Sequence, residues 1–210
     1  NGDPSYATAI GVYHGIKATA FSNNQNHDLS ELSILVQGIG DVGKPLAGLL
    51  YDNCRQLFIT DIDEEKINEF KKTHPKVIPL SQKRFAKEAR FDIFVPCAMP
   101  HVVNPSSIHD IGEAGCKMIA GSANNQLSND NVGIYLHEYR ILYDPDYSIN
   151  AGGLLDVTAR LRKEEKKDII LRLKDTVEYN LSRIFNIANN KKLPTHKIAD
   201  MLAESRLKIK

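Results

Sequence analysis

The chain has 210 residues, of which 42% are hydrophobic and 25% charged, and this composition excludes an intrinsically disordered or collagen-like protein. Lysine and arginine total 27 against 26 acidic residues, so the net charge of +1 lacks the basic excess of a nucleic-acid binder. No apolar run reaches the roughly 18 residues of a membrane span. The three cysteines are widely spaced and form no CxxC pair, which favours a cytoplasmic setting. We therefore expect neither a nucleic-acid nor a membrane partner.

Helical and strand patterns alternate along most of the chain. Helices are predicted over residues 6–21, 41–53, 64–72 and 82–89, and short buried strands over 33–37, 56–60, 76–80, 91–96, 116–120 and 140–143. This alternation indicates an α/β fold, Rossmann-like, with a mainly parallel doubly wound sheet. After about Leu154 the strands cease, and apolar residues spaced by three or four from Ile170 to Ala188 predict one long helix before a final one. We expect a core of residues 1–153 and a C-terminal helical segment, 154–210, packed on the same domain.

The clearest motif is GxGxxG at Gly38, Gly40 and Gly43, directly after a strand and opening a helix. The first glycine permits a tight turn, the second lets a pyrophosphate approach the backbone, and the third lets helix and strand pack closely. The helix N-terminus offers free N–H groups to the phosphates. Asp61 follows Gly38 by 23 positions, where its carboxylate can bind ribose hydroxyls and repel a 2′-phosphate, which favours NAD over NADP. The alternative is a structural glycine turn in which Asp61 caps the next helix.

Three more segments follow predicted strands, and ligands of open α/β sheets bind at the carboxyl ends of strands. Cys97 could be a nucleophile, but no histidine is placed to activate it, so a packing role is favoured. Residues 120–127 (AGSANNQL) form either a ligand loop or a capped turn. Asn150, in a glycine-ended turn, could fix a carboxamide or a substrate. Neither these loops nor the glycine motif frames a proton-transfer group, and the chain lacks an initiator methionine, so we expect a fragment of something longer.

These motifs, with GDPS at residues 2–5, occur in the order seen in the amino-acid dehydrogenases. The chain most resembles the leucine/phenylalanine/valine dehydrogenase branch of that family. The resemblance extends over nearly all 210 residues but covers only the family's cofactor-binding domain. The family's N-terminal domain carries the catalytic lysine and aspartate, so the resemblance implies no catalytic residue in this chain. Pro100 and His101 stand where the family usually has glycines.

The resemblance implies an NAD-dependent oxidative deamination of an apolar L-amino acid, of the leucine, valine or phenylalanine type, to a 2-oxo acid and ammonia. It also implies a small amino-acid substrate and a homo-oligomeric full-length protein. By motif position, the nicotinamide end would be contacted by Ser5 and Thr8, the pyrophosphate by Gly38, Gly40, Asp41, Val42 and Gly43, and the adenosine ribose by Asp61. The cofactor cleft would be lined by Cys97, Ala98, Ala123 and Asn124.

The resemblance also suggests which residues meet the substrate. Asn150 would bind the nicotinamide or the substrate. Leu181 and Ile184 lie on the long C-terminal helix, one face of which reaches the side-chain pocket in the family. Their aliphatic side chains favour an apolar substrate, because a carboxylate would be left unpaired there. Both are also ordinary core positions of an amphipathic helix.

Two other functions fit the same glycine loop, since a fold does not settle a function. One is a non-catalytic NAD-sensing Rossmann module, such as a regulatory subunit. The other is a different NAD enzyme, such as a hydroxy-acid dehydrogenase, which does not account for AGSANNQL or for INAGG at residues 149–153.

Overall fold

The computed structural model describes residues 4–150 and 166–207. The strands in these ranges are β1 (Ser33–Gln37), β2 (Gln56–Thr60), β3 (Ile78–Pro79), β4 (Ile93–Pro96), β5 (Met118–Ile119) and β6 (Leu142–Tyr143). The helices in the same ranges are α1 (Pro4–Asn24), α2 (Gly43–Tyr51), α3 (Glu64–Thr73), α4 (Phe85–Glu88), α5 (Pro105–Glu113), α6 (Asp130–Glu138), α7 (Asp146–Ile149), α8 (Lys166–Lys191) and α9 (Thr195–Leu207).

The six strands form one sheet in the order β3-β2-β1-β4-β5-β6, and each of its pairings is parallel. The chain winds outward from β1 to β3, then returns to place β4 against the free side of β1. The predicted α/β fold with a parallel, doubly wound sheet is therefore confirmed. A reversal of this kind opens a crevice at the carboxyl ends of the two central strands.

Both faces of the sheet are buried, which explains why the strands are continuous apolar runs. Along β1, Ile34 and Val36 pack into one core together with residues of α1, α2 and α3. Leu35, between them, points to the opposite face and packs into a second core with residues of α5 and α6. The same alternation holds along β4, where Phe94 belongs to the second core and its neighbours to the first. The two cores fix the strand ends that carry the candidate site.

The predicted long C-terminal helix is confirmed as α8, which lies alongside α1. Near its start, Leu173 packs against Ala7, and further along Leu181 clusters with Ala18, so the two helices run in the same direction. His14 and Glu178 also join them, with 3.1 Å between Nδ1 and Oε1. The predicted boundary between residues 153 and 154 lies outside the described residues.

Several predicted bounds were wrong at their edges. The strand predicted over 116–120 is reduced to Met118–Ile119, because the N–H of Cys116 bonds to the carbonyl of Ile111 and closes the turn after α5. The strand predicted over 76–80 is reduced to Ile78–Pro79, and the helix predicted over 82–89 to one turn, α4. Helix α1 is longer than predicted and begins at Pro4, since proline is well suited to a first helical turn.

Candidate functional site

The carboxyl ends of the central strands lie in a row, and backbone bonds tie the loops that follow them. The N–H of Gly38, after β1, donates to the carbonyl of Thr60 at the end of β2 (2.7 Å). On the other side, the N–H of Ala123, after β5, donates to the carbonyl of Pro96 at the end of β4 (2.9 Å). The predicted glycine loop and the 120–127 segment therefore flank the same crevice.

The three glycines of the motif have different environments. Gly38 has a φ of +95°, and a Cβ there would lie 2.6 Å from the Cβ of Ala98. A Cβ at Gly43 would overlap the carbonyl oxygen of Gly38. A Cβ at Gly40 would meet no heavy atom of the described protein within 4 Å. Packing thus requires the first and third glycines, whereas the second borders open space.

Helix α2 begins beside that space. Its N-cap is Val42, which supplies no side-chain hydrogen bond to the first turn. The N–H groups of a first helical turn have no partner within the helix, and they carry the positive end of the helix dipole. In α2 the N–H of Lys44 donates to the carbonyl of Gly40 (2.9 Å), and Pro45 has no N–H. A phosphate group would therefore meet the N–H of Gly43 and those of the loop just before it.

Asp61 is half-buried and bonds directly to the glycine loop. Its Oδ2 accepts from the N–H of Ile39 (2.6 Å), and its Oδ1 accepts from the N–H of Asp63 (3.0 Å). The N-cap of α3 is Asp63, whose carboxylate accepts from the N–H groups of Glu65 and Lys66. The cap role that the alternative gave to Asp61 is therefore wrong, since Asp63 caps the helix and the carboxylate of Asp61 lies beside the loop. These contacts do not decide whether the glycine turn is structural or binds a phosphate.

Asn150 is held from the neighbouring loop. Its Nδ2 donates to the carbonyl of Ser122 (2.7 Å) and to Oδ1 of Asn124 (3.1 Å). Its own Oδ1 is buried and has no hydrogen-bond partner among the described residues. A buried amide oxygen without a partner costs free energy, so the arrangement suits a ligand that donates a hydrogen bond.

Two supporting residues of this loop were not predicted as site residues. Gln126 is fully buried, and its Nε2 donates to the carbonyls of Gly121 (2.8 Å) and Ala123 (2.9 Å). The carboxylate of Asp146 accepts from the N–H of Asn125. In the sequence, the only sign of this supporting role was that Gln126, a long polar residue, stands among small ones.

The structure favours the packing interpretation of Cys97. Burial raises the pKa of its thiol, although hydrogen bonds from Ser122 act in the opposite direction. Its Cβ lies 3.3 Å from where a Cβ of Gly43 would stand. Nearby, His101 has a φ of 58°, in the left-handed region that favours glycine. A residue that replaces a usual glycine of the family therefore keeps the glycine conformation.

The other predicted site residues make none of the contacts with the glycine loop that are described above. They are Ser5, Thr8, Leu181 and Ile184. The hydroxyl of Thr8 donates to the carbonyl of Pro4, one turn earlier (3.0 Å), and Ser5 is half-buried near it. Leu181 and Ile184 are buried in the cluster between α1, α8 and α9. Their roles toward cofactor and substrate stay predictions.

Two features are absent from residues 4–150 and 166–207. No three His, Cys, Asp or Glu side chains there are grouped as a metal site would require. None of the helices in those ranges is both long and apolar enough to pass through a lipid bilayer.

A glycine loop at the switch point of a parallel sheet, followed by an uncapped helix and flanked by a carboxylate, defines a dinucleotide-binding domain of the Rossmann type. The sequence profile of the glutamate/leucine/phenylalanine/valine dehydrogenases matches residues 53–208. The chain belongs to this family.

Individual relatives agree with this assignment. The chain is 35% identical to a leucine dehydrogenase of Geobacillus stearothermophilus over 213 residues, which cover 99% of this chain and 55% of the relative. It is 37% identical to a phenylalanine dehydrogenase of Thermoactinomyces intermedius over 208 residues, 99% of this chain and 56% of the relative. The crystal structure of L-tryptophan dehydrogenase from Nostoc punctiforme superposes with a TM-score of 0.88 at 34% identity, covering 99% of this chain and 62% of that one. The chain thus spans about half the length of the curated relatives it matches.

Proposed function

We propose that this chain is the NAD-binding portion of an amino-acid dehydrogenase that oxidatively deaminates an apolar L-amino acid to a 2-oxo acid and ammonia. The observation that carries the proposal is the open space at Gly40, between the uncapped start of α2 and the carboxylate of Asp61. The names of the relatives, which are leucine, phenylalanine and L-tryptophan dehydrogenases, support an apolar substrate.

The crevice fits the two halves of a dinucleotide differently. The pyrophosphate is bound along the glycine loop of Gly38, Gly40, Asp41, Val42 and Gly43, because no side chain shields the backbone at Gly40. The N–H of Gly38 already donates to the carbonyl of Thr60, so Gly38 shapes the turn and the N–H groups of residues 40–43 meet the phosphates. Asp61 binds the adenosine ribose, since its half-buried carboxylate is held at the edge of that loop. Cys97, Ala98, Ala123 and Asn124 line the crevice with small side chains that leave room for the cofactor.

Asn150 orients the reactive end. Its Oδ1 accepts a hydrogen bond from the nicotinamide carboxamide or from the substrate, because Ser122 and Asn124 already hold its Nδ2. A bound NAD would supply the acceptor for the hydride that leaves the substrate's α-carbon. Ser5 and Thr8 contribute at the same end, and Leu181 and Ile184 contribute on the side of the apolar substrate. We place the protein in the cytoplasm, where its three cysteines stay unpaired, and expect the full-length protein to be a homo-oligomer.

Cofactor choice tests the role of Asp61. We expect NADH to bind more tightly than NADPH, because a 2′-phosphate would be repelled by this carboxylate. Asp61→Asn should weaken NADH about tenfold or more and should narrow or reverse the preference over NADPH, as measured by calorimetric titration. Asp63→Asn is the matched control, since that carboxylate caps α3 two residues away. An unchanged ratio of the two affinities in Asp61→Asn would contradict the assigned role.

Turnover distinguishes the enzyme from a sensing module. The longest product of the gene is assayed with NAD and a panel of L-leucine, L-valine, L-phenylalanine, L-tryptophan and L-glutamate, while NADH formation is followed. We expect turnover of the apolar amino acids and little of glutamate. Tight NADH binding without turnover of any of them would favour the sensing module instead.

A further inference from the structure

A second cavity opens at the amino edge of the sheet, opposite the glycine loop. Its volume is about 730 Å³, and it lies where α1, α6 and α8 end and β6 begins. None of its lining residues belongs to the crevice described above. The volume falls within the roughly 300–1,000 Å³ of small-molecule sites.

The cavity has an apolar floor and a polar rim. Buried side chains of Ala18, Leu136, Phe185 and Ala188 form the floor. Exposed polar side chains from the ends of the same helices form the rim, with several asparagines among them. A ligand that fills it must therefore combine an apolar body with a polar end.

The charges of the lining all have one sign. Arg140 and Lys192 are the cationic side chains of the lining, and no aspartate or glutamate belongs to it. Arg140 and Lys192 are exposed, and within the described part of the chain neither forms an ion pair. The polar end of the ligand is thus expected to be an anion.

The backbone at the rim is also unusual. Gln25, Arg140 and Lys192 have positive φ values of 57°, 57° and 53°. Gln25 and Lys192 directly follow the last residue of a helix, and Arg140 follows the C-cap of α6, Tyr139. Glycine or asparagine is the favoured residue at such positions. Long polar side chains therefore occupy three positions at which local stability favours a residue with little or no side chain.

Helix capping alone does not require these side chains. The N–H of Ile141 bonds to the carbonyl of Leu136 (2.9 Å), and the N–H of Leu193 bonds to that of Ala188 (3.1 Å). These bonds satisfy carbonyls at the ends of α6 and α8 through the backbone. A glycine at position 140 or 192 would allow the same bonds at lower conformational cost.

We propose that this cavity binds a small monocarboxylate with an apolar body. The apolar part packs against Leu136 and Phe185, and the carboxylate is bound by Arg140 and Lys192. The site does not depend on the dinucleotide site, because the two lie at opposite edges of the sheet.

The probe is octanoate, compared with octanol and octylamine, which have the same chain length and a different end group. We expect octanoate to bind with a dissociation constant below about 1 mM in calorimetric titration, and the other two at least about tenfold more weakly. Absence of octanoate binding at about 10 mM, or equal binding of octanol or octylamine, would overturn the proposal.

Paired variants locate the binding. Arg140→Gln and Lys192→Gln should each weaken octanoate about fivefold or more, without changing NADH affinity. Arg183→Gln and Lys191→Gln are the controls, since both residues are exposed on α8 and neither lines the cavity. If the two controls lost as much octanoate affinity as Arg140→Gln and Lys192→Gln, the assignment of octanoate to this cavity would be overturned.

Glycine substitutions separate binding from stability. Arg140→Gly and Lys192→Gly should raise the melting temperature, because they relieve the left-handed backbone, and should weaken octanoate binding. Unchanged octanoate affinity in these folded variants would show that the basic side chains serve only the helix ends, and would overturn the proposal.

Discussion

The loops at the carboxyl ends of the strands and those at the amino ends place different residues in the left-handed conformation. At the carboxyl edge, the tight turn after β1 is made by a glycine, Gly38, against the small side chain of Ala98. At the amino edge, the positive-φ positions after α6 and α8 are held by Arg140 and Lys192. Both edges need a left-handed backbone. At the carboxyl edge His101 also has a positive φ, but the turn that borders the glycine loop is left to a residue without a side chain.

The difference shows how each edge can meet a ligand. Main-chain N–H groups reach a phosphate only where no side chain intervenes, so the carboxyl edge is built from glycine and alanine. Long basic side chains reach a ligand from a distance, so the amino edge can keep a wide cavity between helix ends. Hydrogen bonds to the backbone, including those accepted by the carboxylates of Asp61 and Asp146, fix the first edge, whereas basic side chains with no ion pair among the described residues border the cavity at the second.

The largest effect is expected at Gly43. Gly43→Ala would place a Cβ on the carbonyl oxygen of Gly38, and neither backbone can move without separating α2 from β1. We expect a loss of about 3 kcal/mol or more in the free energy of unfolding, measured by urea denaturation, and no detectable NADH binding.

Gly40→Ala is the matched control for this substitution. Its Cβ meets no described atom within 4 Å, so the variant should keep its stability to within about 0.5 kcal/mol. It should nevertheless bind NADH more weakly, because the added methyl group occupies the space proposed for the pyrophosphate. Full NADH affinity in Gly40→Ala would contradict backbone binding at this edge.

A buried carboxyl at the carboxyl edge should make stability depend on pH. Asp144, directly after β6, is fully buried; burial raises its pKa well above the ordinary value, the Thr19 hydroxyl opposes this, and Asp146 adds to it. The folded protein therefore keeps a proton that the unfolded chain loses above about pH 4. Stability from this group is complete below that pH and falls as the pH rises, by up to about 1.4 kcal/mol per pH unit, until the folded group ionises.

Asp144→Asn removes the titration. We expect urea unfolding between about pH 5 and 7 to show a smaller decline in the variant than in the wild type. Asp175→Asn, on the exposed face of α8, should leave the wild-type profile unchanged. A constant difference between Asp144→Asn and the wild type at every pH would show that Asp144 does not hold a proton.

The sequence predicted those parts of the site that depend on local stereochemistry. The glycine spacing and the carboxylate at Asp61 follow from what a strand, a tight turn and a helix need at a phosphate. The lengths of β3 and β5 could not be predicted, because pairing with neighbours decides where an outer strand ends. Nor could the amino-edge cavity, since Phe21, Arg140 and Lys192 come from distant parts of the chain.

Gln126 shows the same limit within the site. Its segment was recognised, but a sequence does not say whether a glutamine faces a ligand or braces a loop. Gln126→Leu would leave the carbonyls of Gly121 and Ala123 without their donor in the protein interior. We expect a loss of about 2 kcal/mol in unfolding free energy and weaker NADH binding, because the loop that holds Asn150 is loosened.

Gln56→Leu makes the same change at the amino edge. Gln56 is half-buried, and its Nε2 also donates to two carbonyls, those of Leu57 (3.1 Å) and Lys76 (3.2 Å). Water can replace these bonds, so the loss should stay below about 1 kcal/mol and NADH affinity should not change. If Gln126→Leu and Gln56→Leu lost the same unfolding free energy, the proposed difference between the carboxyl and amino edges would be contradicted.

The smallest effect on stability is expected at the ion pair between Arg55 and Asp92, which lies at the amino edge beside the start of β1. The Arg55 guanidinium lies 3.4 Å from the Asp92 carboxylate and donates to the Ser33 hydroxyl, but its side chain is 58% exposed. Arg55→Gln should therefore cost only about 0.5 kcal/mol, and less in about 1 M salt, in urea unfolding. The Asp92 carboxylate keeps its bond from the N–H of Ser33 (2.8 Å), which limits the damage. If Arg55→Gln lost as much unfolding free energy as Gln126→Leu, the exposed ion pair at the amino edge would stabilise the fold as much as the buried amide at the carboxyl edge.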